Sequence, residues 1–210
     1  FNSTLNRTIK QGAFASANIG YKEMLYLDVS ARNDWASTLA LTGNQSYLYP
    51  AFGLSAIISQ MVELPEVISY LKVRASHSET GNEVPFNVVN PWNSIGGAGG
   101  PSGIGGINRN TQVPFTNLNA EIIKSDEIGA EVRFLKGRLG LDVTYYNAVS
   151  TNQFLSLAAP SGSGYSSYYV NAGKIVNKGF EITIDAEPVR TNNFNWKTNI
   201  NLSKNQNEIV

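Results

Sequence analysis

The chain has 210 residues, enough for one large β domain or two small ones, and its 16 basic and 16 acidic residues cancel. With no excess positive charge and no basic stripe, nucleic acid is not an expected partner. Cysteine is absent, which excludes a disulfide framework and any thiolate metal site.

Helical periodicity appears nowhere at useful length. A two-residue alternation returns instead and predicts eight strands, over roughly 9–21, 25–34, 47–60, 69–79, 125–135, 139–155, 174–187 and 195–204. The first is the weakest: Ala13, Ala15 and Ala17 alternate only with Phe14, Ser16 and Asn18. In the second, Leu27, Val29 and Ala31 alternate with Asp28, Ser30 and Arg32. The third keeps Phe52, Leu54, Ala56 and Ile58 on one parity, and the fourth sets Leu71, Val73 and Ala75 against Lys72, Arg74 and Ser76. The fifth sets Ile128, Ala130, Val132 and Phe134 against Glu127, Glu131 and Arg133, and the sixth runs from Leu139 to Tyr145 with no charge on its apolar parity. The seventh opposes Phe180, Ile182, Ile184 and Ala186 to Glu181, Thr183 and Asp185; the eighth opposes Trp196, Thr198, Ile200 and Leu202 to Lys197, Asn199 and Asn201. Side chains on a strand point alternately to opposite faces, so every strand has one apolar and one polar face.

Connections alternate between short and long. Short turns fall at 21–24, 61–66, 136–138 and 188–193; long loops fall at 35–45, 80–124 and 156–173. In an up-and-down antiparallel sheet this places all short turns on one rim and all long loops on the other, the asymmetry of outer-membrane barrels. The longest loop holds a glycine-rich run, Gly96 to Gly106, and a loop of this length is normally functional or disordered. The run lacks the Gly-Lys-Ser/Thr ending of a phosphate loop and has no βαβ context, so it reads as a flexible loop.

No stretch approaches the ~18 apolar residues of a membrane helix, but a transmembrane strand averages out to a mildly polar segment. Several strands here reach the ~9–11 residues that cross a bilayer at a tilt. An Arg or Lys at the lipid midplane costs about 2–4 kcal/mol, and the apolar parity carries no charge from Leu25 to Ala31, Leu71 to Ala75, Ile128 to Phe134, Leu139 to Tyr145, Phe180 to Ala186 and Trp196 to Leu202. Tyr21, Tyr26, Trp35, Tyr47, Tyr49, Tyr70, Phe134, Phe194 and Trp196 lie near strand ends, where interfacial girdles form. The core of a soluble β-sandwich also excludes charge, so alternation alone leaves both architectures open. A complete eight-stranded barrel is a third possibility.

Chemistry is sparse. His77 is the only histidine, and no nucleophile or ligand spacing accompanies it. The pairs Glu127/Glu131 and Glu181/Asp185 lie along strand faces and read as a wet wall rather than acid–base machinery. An enzyme is not expected, nor is any cofactor or metal site. Neither the first residues, Phe1-Asn2-Ser3-Thr4, nor the last, Asn207-Glu208-Ile209-Val210, read as natural boundaries, so a fragment of something larger is expected.

Several ordered stretches carry a resemblance. Ala31-Arg32-Asn33-Asp34-Trp35-Ala36-Ser37-Thr38-Leu39 precedes Tyr47-Leu48-Tyr49-Pro50-Ala51. Then come Leu64-Pro65-Glu66-Val67-Ile68-Ser69-Tyr70-Leu71-Lys72-Val73-Arg74-Ala75-Ser76 and Gly81-Asn82. Later follow Glu127 to Phe134, Arg138 to Tyr146, Gly164-Tyr165-Ser166-Ser167, and Asn171 to Glu181. Over about residues 20–205 the chain resembles SusC/RagA-type TonB-dependent transporters of the Bacteroidetes outer membrane. It departs at Asn117-Leu118-Asn119-Ala120-Glu121, where the family usually carries a proline-rich run.

The resemblance implies a large barrel of about 22 strands with a plug in its lumen. It implies import of oligosaccharides or peptides with a SusD-like lid lipoprotein, driven through TonB. Residues 1–210 would then be a partial barrel domain without plug or N-terminal region. It would be all-β, an antiparallel up-and-down transmembrane barrel segment of about eight strands in the bacterial cell outer membrane. Its partners would be membrane lipid, the rest of its own barrel and plug, the lid, TonB, and a glycan or peptide substrate. The polar parity would face the lumen: Asp28, Arg32, Lys72, Arg74, Glu127, Glu131, Arg133, Glu181, Asp185 and Lys197. Aromatics on the long loops, Phe86, Trp92, Phe115, Tyr165, Tyr168 and Tyr169, would be candidates to stack on ligand. The alternative is a soluble extracellular β-sandwich that binds glycan.

Overall fold

A computed structural model of the chain describes residues 7–40, 42–82, 84, 88–89, 91–95, 106–115 and 118–210. The strands in chain order are β1 (Lys10–Tyr21), β2 (Leu25–Ala36), β3 (Ser46–Ile57), β4 (Ile68–Asn82), β5 (Ser94–Ile95), β6 (Ile107–Asn108), β7 (Glu121–Phe134), β8 (Leu139–Thr151), β9 (Phe154–Ala158), β10 (Ser167–Asn171), β11 (Lys174–Arg190) and β12 (Asn195–Ile209). Eight of them form one antiparallel sheet in the order β1-β2-β3-β4-β7-β8-β11-β12, so chain neighbours are sheet neighbours throughout. The remaining four form two small hairpins, β5–β6 and β9–β10, inside the long connections. No helix is long and apolar enough to cross a membrane among the described residues, a statement that leaves barrels untouched.

Register keeps the two parities on separate faces across the sheet, except where it shifts between Ile68 and Tyr70 in β4 and between Ala186 and Val189 in β11. One row runs Leu27, Leu54, Ala75, Ile128, Tyr145, Phe180; another runs Lys72, Glu131, Asp142, Thr183, Asn201. The apolar face is bare: Leu54, Ile128 and Leu202 are 54%, 61% and 54% exposed. That overturns the sandwich alternative, because the inner face of a sandwich is covered by a second sheet and here both additional sheets are two-stranded hairpins in the loops. It also overturns the complete eight-stranded barrel, since β1 and β12 remain unpaired edges.

Strand limits differ from the predicted ones for local reasons. Residues Ile58–Gln60 close into a 3-10 turn, which ends β3 early. Asn152 adopts φ 58°, ends β8 at Thr151, and releases the following residues into β9. Five strands run further toward the long loops than predicted: β2 to Ala36, β3 from Ser46, β4 to Asn82, β7 from Glu121 and β12 to Ile209. Tyr26, Tyr47, Tyr49 and Tyr70 are also corrected. Tyr26 stands opposite Ser55, Tyr47 opposite Asp34, Tyr49 opposite Arg32 and Tyr70 opposite Arg133, on the charged face rather than in an apolar-face girdle.

Two short turns bend through left-handed residues that are not glycine: Lys22 and Glu23 (φ 50° and 58°), and Leu135 and Lys136 (φ 53° and 56°). Each pair fills the centre of a tight turn, closed by Met24 N to Tyr21 O at 3.0 Å and by Gly137 N to Phe134 O at 3.0 Å, in a conformation that a residue with a Cβ adopts only at a cost.

The buried core lies in the long connections, outside the sheet. Leu39, Val84, Val88, Val89 and Leu118 pack together, with Tyr47, Phe115, Phe154 and Tyr169 against them.

Candidate functional site: the charged face and the loop cluster

All ten residues predicted for the lumen face stand on the face opposite the bare apolar one, as do Asp34 and Asp142. They sit in local networks. Arg74 on β4 reaches across β7 to β8, donating from Nη1 and Nη2 to the Asp142 carboxylate at 2.9 and 2.6 Å and to Thr144 Oγ1 at 2.6 Å. Gly129 makes that span possible, since a Cβ there would fall 2.8 Å from Arg74 Nε. Arg133 donates to Glu131 at 2.8 Å and lies over the Tyr70 ring at 5.3 Å. Asn18 donates to Asp28, and Asn199 donates to Asp185 at 2.7 Å. Arg32 pairs with the buried Asp34 at 2.7 Å.

Two clefts open on this face. One, of about 210 Å³, is lined by Asp28, Lys72, Arg74 and Glu127 among others. The other, of about 330 Å³, lies toward the short turns beside Arg138, Asp185, Glu187 and Lys197. Glu181 stands opposite Thr144 and Ser203 in the Arg74 row. Such a surface offers ionic and hydrogen-bonding groups to a polar partner. No grouping of three or more His, Asp or Glu residues fit to hold a metal occurs among the described residues.

The long connections fold into one cluster. Asn171 Oδ1 accepts from Asn119 N at 2.8 Å, and its Nδ2 donates to the carbonyls of Asn119 and Asn152 at 2.9 Å each. Asn44 donates to Asn119 Oδ1 at 2.6 Å, which ties in the β2–β3 connection. Val113 N donates to Ser167 O at 3.0 Å, and Ser166 N to Thr111 O at 2.7 Å, which fastens the β9–β10 hairpin to the longest loop.

The loop aromatics split into groups. Phe115 and Tyr169 pack against the buried cluster, and Tyr169 stacks on Phe154 with ring centres 4.4 Å apart. Tyr168 is half-buried on β10 opposite Leu157. Tyr165 lies under the Arg109 guanidinium at 5.3 Å, and Trp92 is 54% exposed. Phe86 lies outside the described residues. Arg109, Asn119 and Asn171 were not picked out by sequence reasoning. They sit in aperiodic segments, and their partners are up to 75 positions away, so no local pattern marks them.

A family model described as "TonB dependent receptor-like, beta-barrel" matches residues 1–208. A TonB-dependent receptor of Formosa agariphila is 28% identical over 204 residues, covering 94% of this chain and 20% of the relative. SusC of Bacteroides thetaiotaomicron is 30% identical over 95 residues, covering 45% of this chain and 10% of the relative. Among solved structures, the RagAB peptide importer in its open-open state superposes with a TM-score of 0.85 at 22% identity, covering 96% of this chain and 22% of that one. YddB, an outer-membrane transporter of Escherichia coli, gives a TM-score of 0.67 at 14% identity over 96% of this chain and 25% of that one. The chain thus spans about a fifth of the length of these relatives. The family is one of transporters and receptors rather than enzymes, and its barrels reside in the outer membrane. A bare apolar face, a charged opposite face and a folded cluster on one rim together suit that setting, and the chain belongs to the TonB-dependent receptor-like β-barrel family of the bacterial outer membrane.

Proposed function

We propose that this chain forms wall and external loops of an importer for oligosaccharides or peptides. Residues 1–210 would be a partial barrel domain whose plug lies elsewhere in the protein, with the charged face turned to the lumen. The observation that carries this reading is the joining of two surfaces. The charged face leads directly, along β4, β7, β8 and β11, into a loop cluster that is already folded. A preorganised polar path below a structured mouth is what a selective pore requires. The relatives support the cargo class: one structural neighbour is named a peptide importer, and SusC is among the sequence relatives. A lid lipoprotein and TonB would be the partners of such an importer.

Trp92, 54% exposed, and Tyr165, over which the Arg109 guanidinium lies, are the aromatic faces we assign to ligand, while Phe115 and Tyr169 pack against the buried cluster. The test is uptake by cells in which the gene for the whole protein is deleted. Growth on a panel of oligosaccharides and a panel of peptides should fail for one panel and return with the intact gene. Growth unchanged on both panels would overturn the importer reading. Trp92→Ala should weaken binding of the identified cargo about tenfold, the worth of one well-packed ring at about 1.4 kcal/mol.

A further inference from the structure

Beyond the apolar band, the outward face turns polar on the side of the long connections. One step past Ala75, Ile128, Tyr145 and Phe180, the row reads His77, Asp126, Asn147, Lys178 and Gln206 across β4, β7, β8, β11 and β12. The two ends of this belt differ in charge. At the β4–β7 end the charges are matched: His77 Nδ1 lies 2.7 Å from Asp126 Oδ1, and Lys124 Nζ donates to Glu79 at 2.7 Å. At the β11–β12 end, the free edge of this chain's sheet, neither Lys178 nor Lys204 is ion-paired among the described residues, although Glu208 is the other diagonal neighbour of Lys178 on this face.

These two lysines are near neighbours. Lys178 stands opposite Gln206, and Lys204 opposite Phe180, so they are diagonal partners on one face, ~7–8 Å apart. They border a shallow cleft of about 270 Å³ that also touches Tyr145 and Phe180. Two like charges at this separation repel, and an anion held between them would relieve that repulsion. The apolar rings beside them select an anion that carries hydrocarbon. Lysine stems can lie along acyl chains while their ammonium groups reach the headgroup level.

We propose that Lys178 and Lys204 grip the phosphate of a lipid headgroup in the outer leaflet. The proposal rests on the reading that the bare face meets the membrane and the long connections lie outside the cell.

The test uses the protein at the length in which the cell makes it, purified in a neutral detergent. It is titrated with short-chain phosphatidic acid, with phosphatidylcholine of the same chain length, and with inorganic phosphate. Phosphatidic acid should bind, and K178Q/K204Q should weaken it at least tenfold. K22Q/K136Q, on the opposite rim, should leave it unchanged, and phosphatidylcholine should bind neither protein measurably. Unchanged affinity in K178Q/K204Q would overturn the proposal. Inorganic phosphate displacing the lipid mole for mole would also overturn it, by assigning the site to free phosphate. A second measurement separates this proposal from the reading beneath it. Ile128→Trp in vesicles with brominated acyl chains should add quenched fluorescence to that of the wild type. If quenching is absent, the membrane placement itself fails. If quenching is present while the lysine variants bind phosphatidic acid normally, only the headgroup site fails.

Discussion

In the eight-stranded wall, Leu54, Ile128 and Leu202 are more than half exposed, while in the loop cluster Leu39 and Leu118 are completely covered. Among the described residues, the cluster of buried apolar side chains lies in the loops. In the wall the chain arranges them on one face and leaves an outside solvent to cover them. Burial of apolar area is the main favourable term in folding, so the loops carry their own stabilisation, whereas the wall requires lipid. Backbone hydrogen bonding follows the same division. The interior strands pair along most of their length, as hydrocarbon demands, although residues 46–50 of β3 have no partner on β4, while the cluster adds side-chain links such as those from Asn171 and Asn44.

The largest expected effect belongs to the cluster. Leu118→Ala removes a fully buried side chain and should cost the cluster ~2–5 kcal/mol. Limited proteolysis should then cut the β4–β7 connection, while the strands stay protected and the band shift on heating in detergent survives. Loss of that shift would mean that the wall depends on the loops, and the division above would fail.

Val143→Arg probes the other region. Val143 lies between Ala130 and Ile182 at the middle of the apolar face. The change should cost ~2–4 kcal/mol in a bilayer, read as a lower urea midpoint for the protein folded in vesicles, and far less in a neutral detergent that lets the guanidinium reach water. Equal midpoints in both settings would show that this face does not contact lipid.

The Arg74 network tests the charged face. Asp142→Ala leaves a half-buried guanidinium without its two-pronged acceptor and should cost ~1–3 kcal/mol by the same urea assay. Asp142→Asn keeps one acceptor and should fall between that variant and wild type. If both variants match wild type, water or another group on this face replaces the carboxylate at no cost.

Much of the wall was legible because a strand writes its two faces with period two, and register preserves that alternation from β1 to β12. The strand ends were less legible for the same physical reason. Past Tyr145 and Phe180 the outer face turns polar too, so Lys204 to Glu208 show no contrast between parities although they belong to β12. Tyr26, Tyr47, Tyr49 and Tyr70 misled because an aromatic ring suits either a girdle or a charged wall, where Arg133 lies over Tyr70. The cluster was illegible. Leu39, Val84 and Leu118 meet across tens of residues with no period, and the stretch around Leu118 lacks the prolines that the resemblance led one to expect. Of the loop aromatics, sequence could identify ring type but not which rings were already engaged, as Phe115 and Tyr169 are.

The smallest effect concerns the short turns, far from the cluster. Lys22 and Glu23 both hold left-handed backbone, at φ 50° and 58°, where a Cβ crowds the neighbouring carbonyl at a cost of ~1–2 kcal/mol per residue. Gly adopts this geometry without penalty, and Asn tolerates it better than other residues with a Cβ. K22N/E23G should therefore stabilise the protein by ~1 kcal/mol in vesicles, part of the relief being offset by the entropy glycine loses on folding. Gly137→Ala, at φ 82° in the β7–β8 turn, should shift the midpoint the opposite way. Neither change touches a long connection, so protease resistance of the loop cluster should stay at its wild-type value. If that resistance rises with K22N/E23G, the turn and the cluster share one cooperative unit, and the wall cannot be treated as stabilised by lipid alone.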